Sequence, residues 1–149
     1  MARRAAAIVA AAALPLLSAA ACSSGGADKA LERTASWAAT ARMVAESRAA
    51  GATSHQYARV ALHAAHAELT TAVKSLDEAL KSPDKAGALS PDQRARSLDQ
   101  ARTVEESVGA MVNSAEDTPS DVTTLERHAT RAAWAGDAAK ALADSAKGK

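Results

Sequence analysis

Apolar residues recur three and four positions apart along four stretches of the chain, separated by glycine, proline and capping residues. The sharpest pattern runs through His55, Arg59, Leu62, His66, Leu69, Val73, Leu76 and Leu80, in alternating steps of four and three. A third stretch repeats that rhythm with Ala101, Val104, Val108, Met111 and Ala115. A fourth carries Val122, Leu125, Ala129, Ala132, Gly136, Ala139, Ala143 and Ala146. The first stretch is blurred: Leu31, Ala35, Ala38 and Ala45 form one row, with Trp37, Ala41 and Val44 beside it. This spacing lines one face of an α-helix and predicts four amphipathic helices.

The breakers set the boundaries. A first helix runs from about Asp28 to Ala50 and stops at Gly51. A second starts near Thr53 or Ser54, where Thr53 and Gln56 have capping-box spacing, and reaches about Lys81. Ser82 through Gly87 read as a loop. Ser90-Pro91-Asp92-Gln93 combines an N-cap serine, proline at the first helical position and glutamine at the third, and opens a helix to about Ala115. Thr118-Pro119-Ser120-Asp121 starts the last helix, which continues to about Ala146. Four helices joined by short links predict an all-α, antiparallel up-down four-helix bundle over residues 28–149. At 1.5 Å per residue it is roughly 35–40 Å long.

Composition changes the picture of what fills that bundle. Of 149 residues 43 are Ala and none is Phe, and beyond residue 21 only 21 side chains are larger apolar ones. Alanine favours helix and lets helix axes approach, but each one buries little area. A share this low in Leu, Ile, Val and Phe signals disorder when net charge is high. Here it is not: outside the first segment sixteen basic residues face seventeen acidic ones. Near-neutral charge and scarce aromatics exclude a nucleic-acid binder, which needs a basic face and stacking rings.

Residues 1–21 are of another kind. Arg3 and Arg4 precede the apolar run Ala5 to Leu17, and Ser18-Ala19-Ala20-Ala21 supplies small residues just before Cys22. That order marks a cleaved signal peptide, and the run is too short and too alanine-rich for a transmembrane helix. Cys22 is the only cysteine, so no internal disulfide forms, and Ser23-Ser24-Gly25-Gly26 follow it. Residues 1–26 resemble the lipobox segment of bacterial lipoproteins, although the third residue before the cysteine is Ala19 where that pattern usually has Leu. The resemblance implies cleavage between Ala21 and Cys22 and acylation of Cys22, with residues 22–27 as lipidated cysteine and flexible tether. Two or three acyl chains, at about 0.8 kcal/mol per buried CH₂, hold a small domain on a membrane. The expectation is a lipid-anchored protein on the extracytoplasmic face of the cell membrane. Ala19-Ala20-Ala21 also fits the A-x-A site of ordinary signal peptidase, which would release a soluble secreted protein.

Candidate chemistry is thin. There is no G-x-S-x-G, no H-E-x-x-H and no glycine-rich phosphate loop, and the sequence reads as non-enzymatic. Asp77-Glu78 and Glu105-Glu106 are adjacent pairs that point about 100° apart on a helix and are solvated. Asp92/Arg96 and Lys140/Asp144 have the spacing of surface ion pairs. The one suggestive set is His63, His66 and His128: the first two share a helix face, and all three fall about 13–19 Å from the same end of the bundle. With Met43 and Met111 nearby they could form a copper or haem site. The blander expectation has His66 at the core edge, His55 on the surface and the Met residues filling an alanine-rich core. Trp134-Ala135-Gly136 matches a W-x-G tripeptide found in helical-hairpin turns, but here it falls mid-helix and reads as coincidence, with Trp37 and Trp134 sealing the core flanks. The function expected is a non-catalytic interaction or structural role in the cell envelope, with an envelope protein partner at the membrane-distal loops. A metal- or haem-binding envelope protein is the competing reading.

Overall fold

The computed structural model describes residues 25–116 and 122–148. Within them all regular structure is helical: α1 (Ala27–Ala49), α2 (His55–Leu80), α3 (Pro83–Ala86), α4 (Pro91–Glu116) and α5 (Val122–Ala146). The signal segment, its cleavage point between Ala21 and Cys22, the lipidation residue Cys22 and the start of the last helix at residues 118–121 lie outside the described residues. Four helices are long, and α3 is a single turn where a loop was expected. Pro83 at its first position fixes φ for helix without losing a needed donor, and the Ser82 carbonyl accepts from Lys85 and Ala86.

Each helix end has an identifiable stop. Gly51, at φ +71°, terminates α1; its N–H donates to the Arg48 carbonyl and that of Ala52 to the Ser47 carbonyl, the paired bonds of a Schellman turn. Ser54, not Thr53, caps α2 by accepting from the Tyr57 N–H at 3.2 Å. Thr53 instead meets the Ser47 hydroxyl across the turn. The expected capping box at α4 forms: the Ser90 N–H donates to Gln93 Oε1 at 2.8 Å, and the Gln93 N–H to Ser90 Oγ at 3.3 Å.

The long helices form a helical bundle in which α1 packs mainly on α5 and α2, and α4 packs on α5 and α2. α1 and α4 touch only lightly across the middle, and α2 and α5 hardly meet. The core divides into two stretches. One gathers Ala41, Ala45, Leu62, Leu69, Val108, Met111, Leu125 and Ala132. The other gathers Ala27, Leu31, Leu76, Leu89, Ala101, Ala139 and Ala143. The buried row of α2 is Ala58, Leu62, Ala65, Leu69, Ala72, Leu76 and Ala79, with Val73 beside it. The expected row shared its leucines but ran through His55, Arg59 and His66, and the observed seam is turned toward the alanines. That rotation keeps a charged side chain out of the core. The blur of α1 also resolves: Ala27, Leu31, Thr34, Ala38, Ala41 and Ala45 form a regular buried row once a threonine is admitted. Its hydroxyl is satisfied within the helix by the Ala30 carbonyl at 2.9 Å. Ser97 and Ser107 on α4 are buried in the same way, donating to the carbonyls of Gln93 and Thr103.

Candidate functional site

The histidines sit on different seams. His63, on the exposed side of α2, hydrogen-bonds Glu116 on α4 through Nε2 at 3.0 Å. His66, half-buried one turn further along, lies against the same helix at Gly109. A Cβ on Gly109 would fall 3.1 Å from His66 Nε2, so the imidazole occupies the room a side chain there would need. His128 is on α5, which has almost no contact with α2. The structure therefore brings His63 and His66 to α4 and does not bring His128 to them. Among the described residues no three His, Cys, Asp or Glu side chains are grouped so as to hold a metal ion. Met111 is fully buried, as expected of a core filler, whereas Met43 is 51% exposed on α1.

The ion pairs differ from those expected as well. Arg42–Glu46 and Lys81–Asp77 form within helices, and Lys147–Glu32 joins α5 to α1, in place of Asp92–Arg96 and Lys140–Asp144. The hydrogen bond from Lys81 holds the Asp77 carboxyl below the ordinary carboxylate range. Hydrogen bonding to Glu32 raises the Lys147 ammonium in the same manner. Of the adjacent carboxylate pairs, Glu105 accepts from the Thr70 hydroxyl on α2 at 2.7 Å.

A recess lies on the flank between α1 and α5. Arg42 and Glu46 line it from α1, and Glu126, Ala129, Thr130, Ala133, Trp134 and Asp137 from α5. Its volume is about 480 Å³, and it is partly open to solvent. Arg42 donates through Nε to Glu46 at 2.6 Å, and that bond, reinforced by the Glu46 charge and more weakly by Asp137, raises its pKa. The guanidinium is thus already engaged, while Glu126 and Asp137 stand toward the two ends of the recess.

Trp134 is 67% exposed and does not seal the core; Trp37 alone packs against it. Trp134 lies about 200° round the helix from Gly136, off the buried row of α5. Separately, Gly136 meets Ala38 so tightly that a Cβ added to it would lie 2.6 Å from the Ala38 Cβ. Gly136 thus permits a close approach of α1 and α5, and Trp134 stands on the flank.

Comparison with protein-family models, with curated proteins and with solved structures finds no match. Beside the absence of a metal-holding group among the described residues stands a polar groove carrying an exposed aromatic. Sequence reading passed over that groove, although the signal was present: Trp134 lies off the Ala132–Gly136–Ala139 stripe, where burial of so large a residue needs an explanation.

Proposed function

We propose that this chain is a lipid-anchored protein of the cell envelope, held on the extracytoplasmic face of the membrane through Cys22, with a non-catalytic interaction role. The bundle is an antiparallel up-down four-helix arrangement standing on one end. The observation that carries this reading is where the chain enters the bundle. Gly26 lies beside the Lys85 carbonyl, and the Ala88 N–H donates to the last carbonyl of α5 at Ala146. Lys147 bonds Glu32 one turn into α1. The entry, one link and the exit thus share an end, and a lipidated Cys22 four residues before Gly26 would attach the bundle there.

The cross-helix pairings support the antiparallel order. Along α2 the partners on α4 recede in number, His63 with Glu116, His66 with Gly109 and Thr70 with Glu105. Along α1 the partners on α5 do likewise, Glu32 with Lys147 and Ala38 with Gly136. In that arrangement Arg42, Glu46 and Glu126 lie toward the end away from the membrane, about 22–30 Å up the bundle at 1.5 Å per residue. None of the described helices is long and apolar enough to cross a membrane.

Membrane fractionation of cells expressing the wild type and Cys22→Ala tests the anchor. The wild type is expected to sediment with membranes and to incorporate labelled fatty acid, and the variant to lose both. An unlabelled wild type released into the medium would favour ordinary signal peptidase cleavage instead.

A further inference from the structure

The flank groove has features that tethering leaves unused. Three carboxylates, Glu46, Glu126 and Asp137, and one guanidinium, Arg42, line it, and Arg42 is bonded to Glu46. The lining therefore carries a net negative charge, and α5's other nearby cations, Arg127 and Arg131, do not line it. The same wall presents Trp134, the largest exposed apolar side chain of the described residues, in a protein whose core is short of bulk. A tryptophan face flanked by carboxylates attracts an organic cation through its quadrupole and through charge-assisted hydrogen bonds.

We propose that this groove binds a basic segment of a partner protein in extended conformation, with a lysine or arginine stem lying across Trp134 and cationic heads meeting Glu126 and Asp137. The inference deepens the interaction role proposed above and rests on it. The spacing of the carboxylates chooses a peptide over a small cation. Glu126 and Asp137 both line the groove and are eleven residues apart on α5. That separation is about 16 Å at the helical rise. A small cation could satisfy one carboxylate at a time, whereas about five residues of extended chain reach from one to the other. Charge complementarity fixes the sign of the partner: an acidic segment would face the lining with like charge. Arg42 helps position the site by holding Glu46 to its own helix, which leaves Glu126 and Asp137 as the acceptors for a ligand.

The test uses the full chain in non-ionic detergent micelles and a blocked hexapeptide with lysine at both ends of four alanines. Binding is read by calorimetry on the unaltered chain and by the emission of Trp134 in a Trp37→Phe background. Saturable binding with a change in Trp134 emission is expected, weakening steeply as salt rises from about 50 to about 500 mM. Glu126→Gln with Asp137→Asn, and separately Trp134→Ala, are each expected to weaken it at least tenfold while leaving helical circular dichroism unchanged, because these side chains are exposed. Absence of saturable binding overturns the proposal. So does equal binding by both variants, by a peptide with glutamate at its ends, or by tetramethylammonium as tightly as by the peptide. The Cys22→Ala chain is expected to bind the peptide as the wild type does. Loss of peptide binding with intact anchoring removes this inference alone, and loss of anchoring with intact binding removes only the tether.

Discussion

The seam between α1 and α5 turns on one atom that is absent. Gly136 faces Ala38 where an added methyl would lie 2.6 Å from a Cβ fixed to the opposite backbone, and neither side can rotate away. Gly109 presents a milder case, since its added Cβ would meet the His66 ring at 3.1 Å, and a side-chain ring can swing. Replacing a mid-helix glycine by alanine gains about 1 kcal/mol of helix propensity. Overpacking a tight seam costs about 1–3 kcal/mol. Gly136→Ala is therefore expected to lower stability by up to about 2 kcal/mol in urea unfolding, while Gly109→Ala stays within about 0.5 kcal/mol of wild type. A stabilised Gly136→Ala protein would mean that α1 and α5 do not approach as closely as they do here.

At the scale of elements, α2 supplies three of the six buried leucines. Leu62, Leu69 and Leu76 are fully buried, whereas α5 contributes one buried leucine, Leu125, and otherwise alanine and glycine. Leu69→Ala is expected to cost 2–5 kcal/mol, the usual range for a buried leucine. Val60→Ala on the same helix, 59% exposed, is expected to change stability by less than about 0.5 kcal/mol. Urea midpoints of the two variants check the contrast, and equal losses would mean that the seam of α2 is misplaced. This helix also shows how far the sequence could be read. Its existence, its length and its three leucines were legible from the alternating steps. Its rotation was not, because Ala58, Ala65, Ala72 and Ala79 look neutral in the sequence, while Arg59 and His66 fall on the same apparent stripe. Where large residues define the face, as with Val104, Val108 and Met111 on α4, pattern and burial agree. The capping box at Ser90 was legible because its chemistry is local. The histidines needed the helix neighbours: His63 and His128 are at similar heights in sequence arithmetic, but α2 packs on α4 and not on α5. The groove was hidden for a related reason, since it takes residues from two helices far apart in the chain.

For the whole molecule, the end where α1 begins and α5 finishes carries a buried cluster and, on its surface, a contact that titrates. Lys147 donates to Glu32, linking the exit of α5 to the first turns of α1, and this hydrogen bond raises the lysine pKa above its ordinary value. A group whose pKa is higher in the folded state stabilises that state while it is protonated in both. The contribution is fully present below the unfolded lysine value of about 10.4 and is lost as pH rises through the raised folded one. Asp77 has the opposite sign: its carboxyl is held low by Lys81, so its contribution is present above the ordinary carboxylate range and fades as acid protonates it. Both pairs are exposed, so the effects are small and screened by salt. They nonetheless act on different parts of the molecule. Lys81–Asp77 stays within α2, whereas Lys147–Glu32 ties two helices whose sequence separation spans nearly the whole bundle. Comparison of Lys147→Gln with wild type should give a lower Tm for the variant near neutral pH in low salt. That difference should close as pH climbs past the lysine range, and hydrogen exchange should show faster opening in the first turns of α1. A difference independent of pH would assign the loss to packing of the lysine stem instead of its charge, leaving this end to its buried cluster and to the bond from the Ala88 N–H to the Ala146 carbonyl.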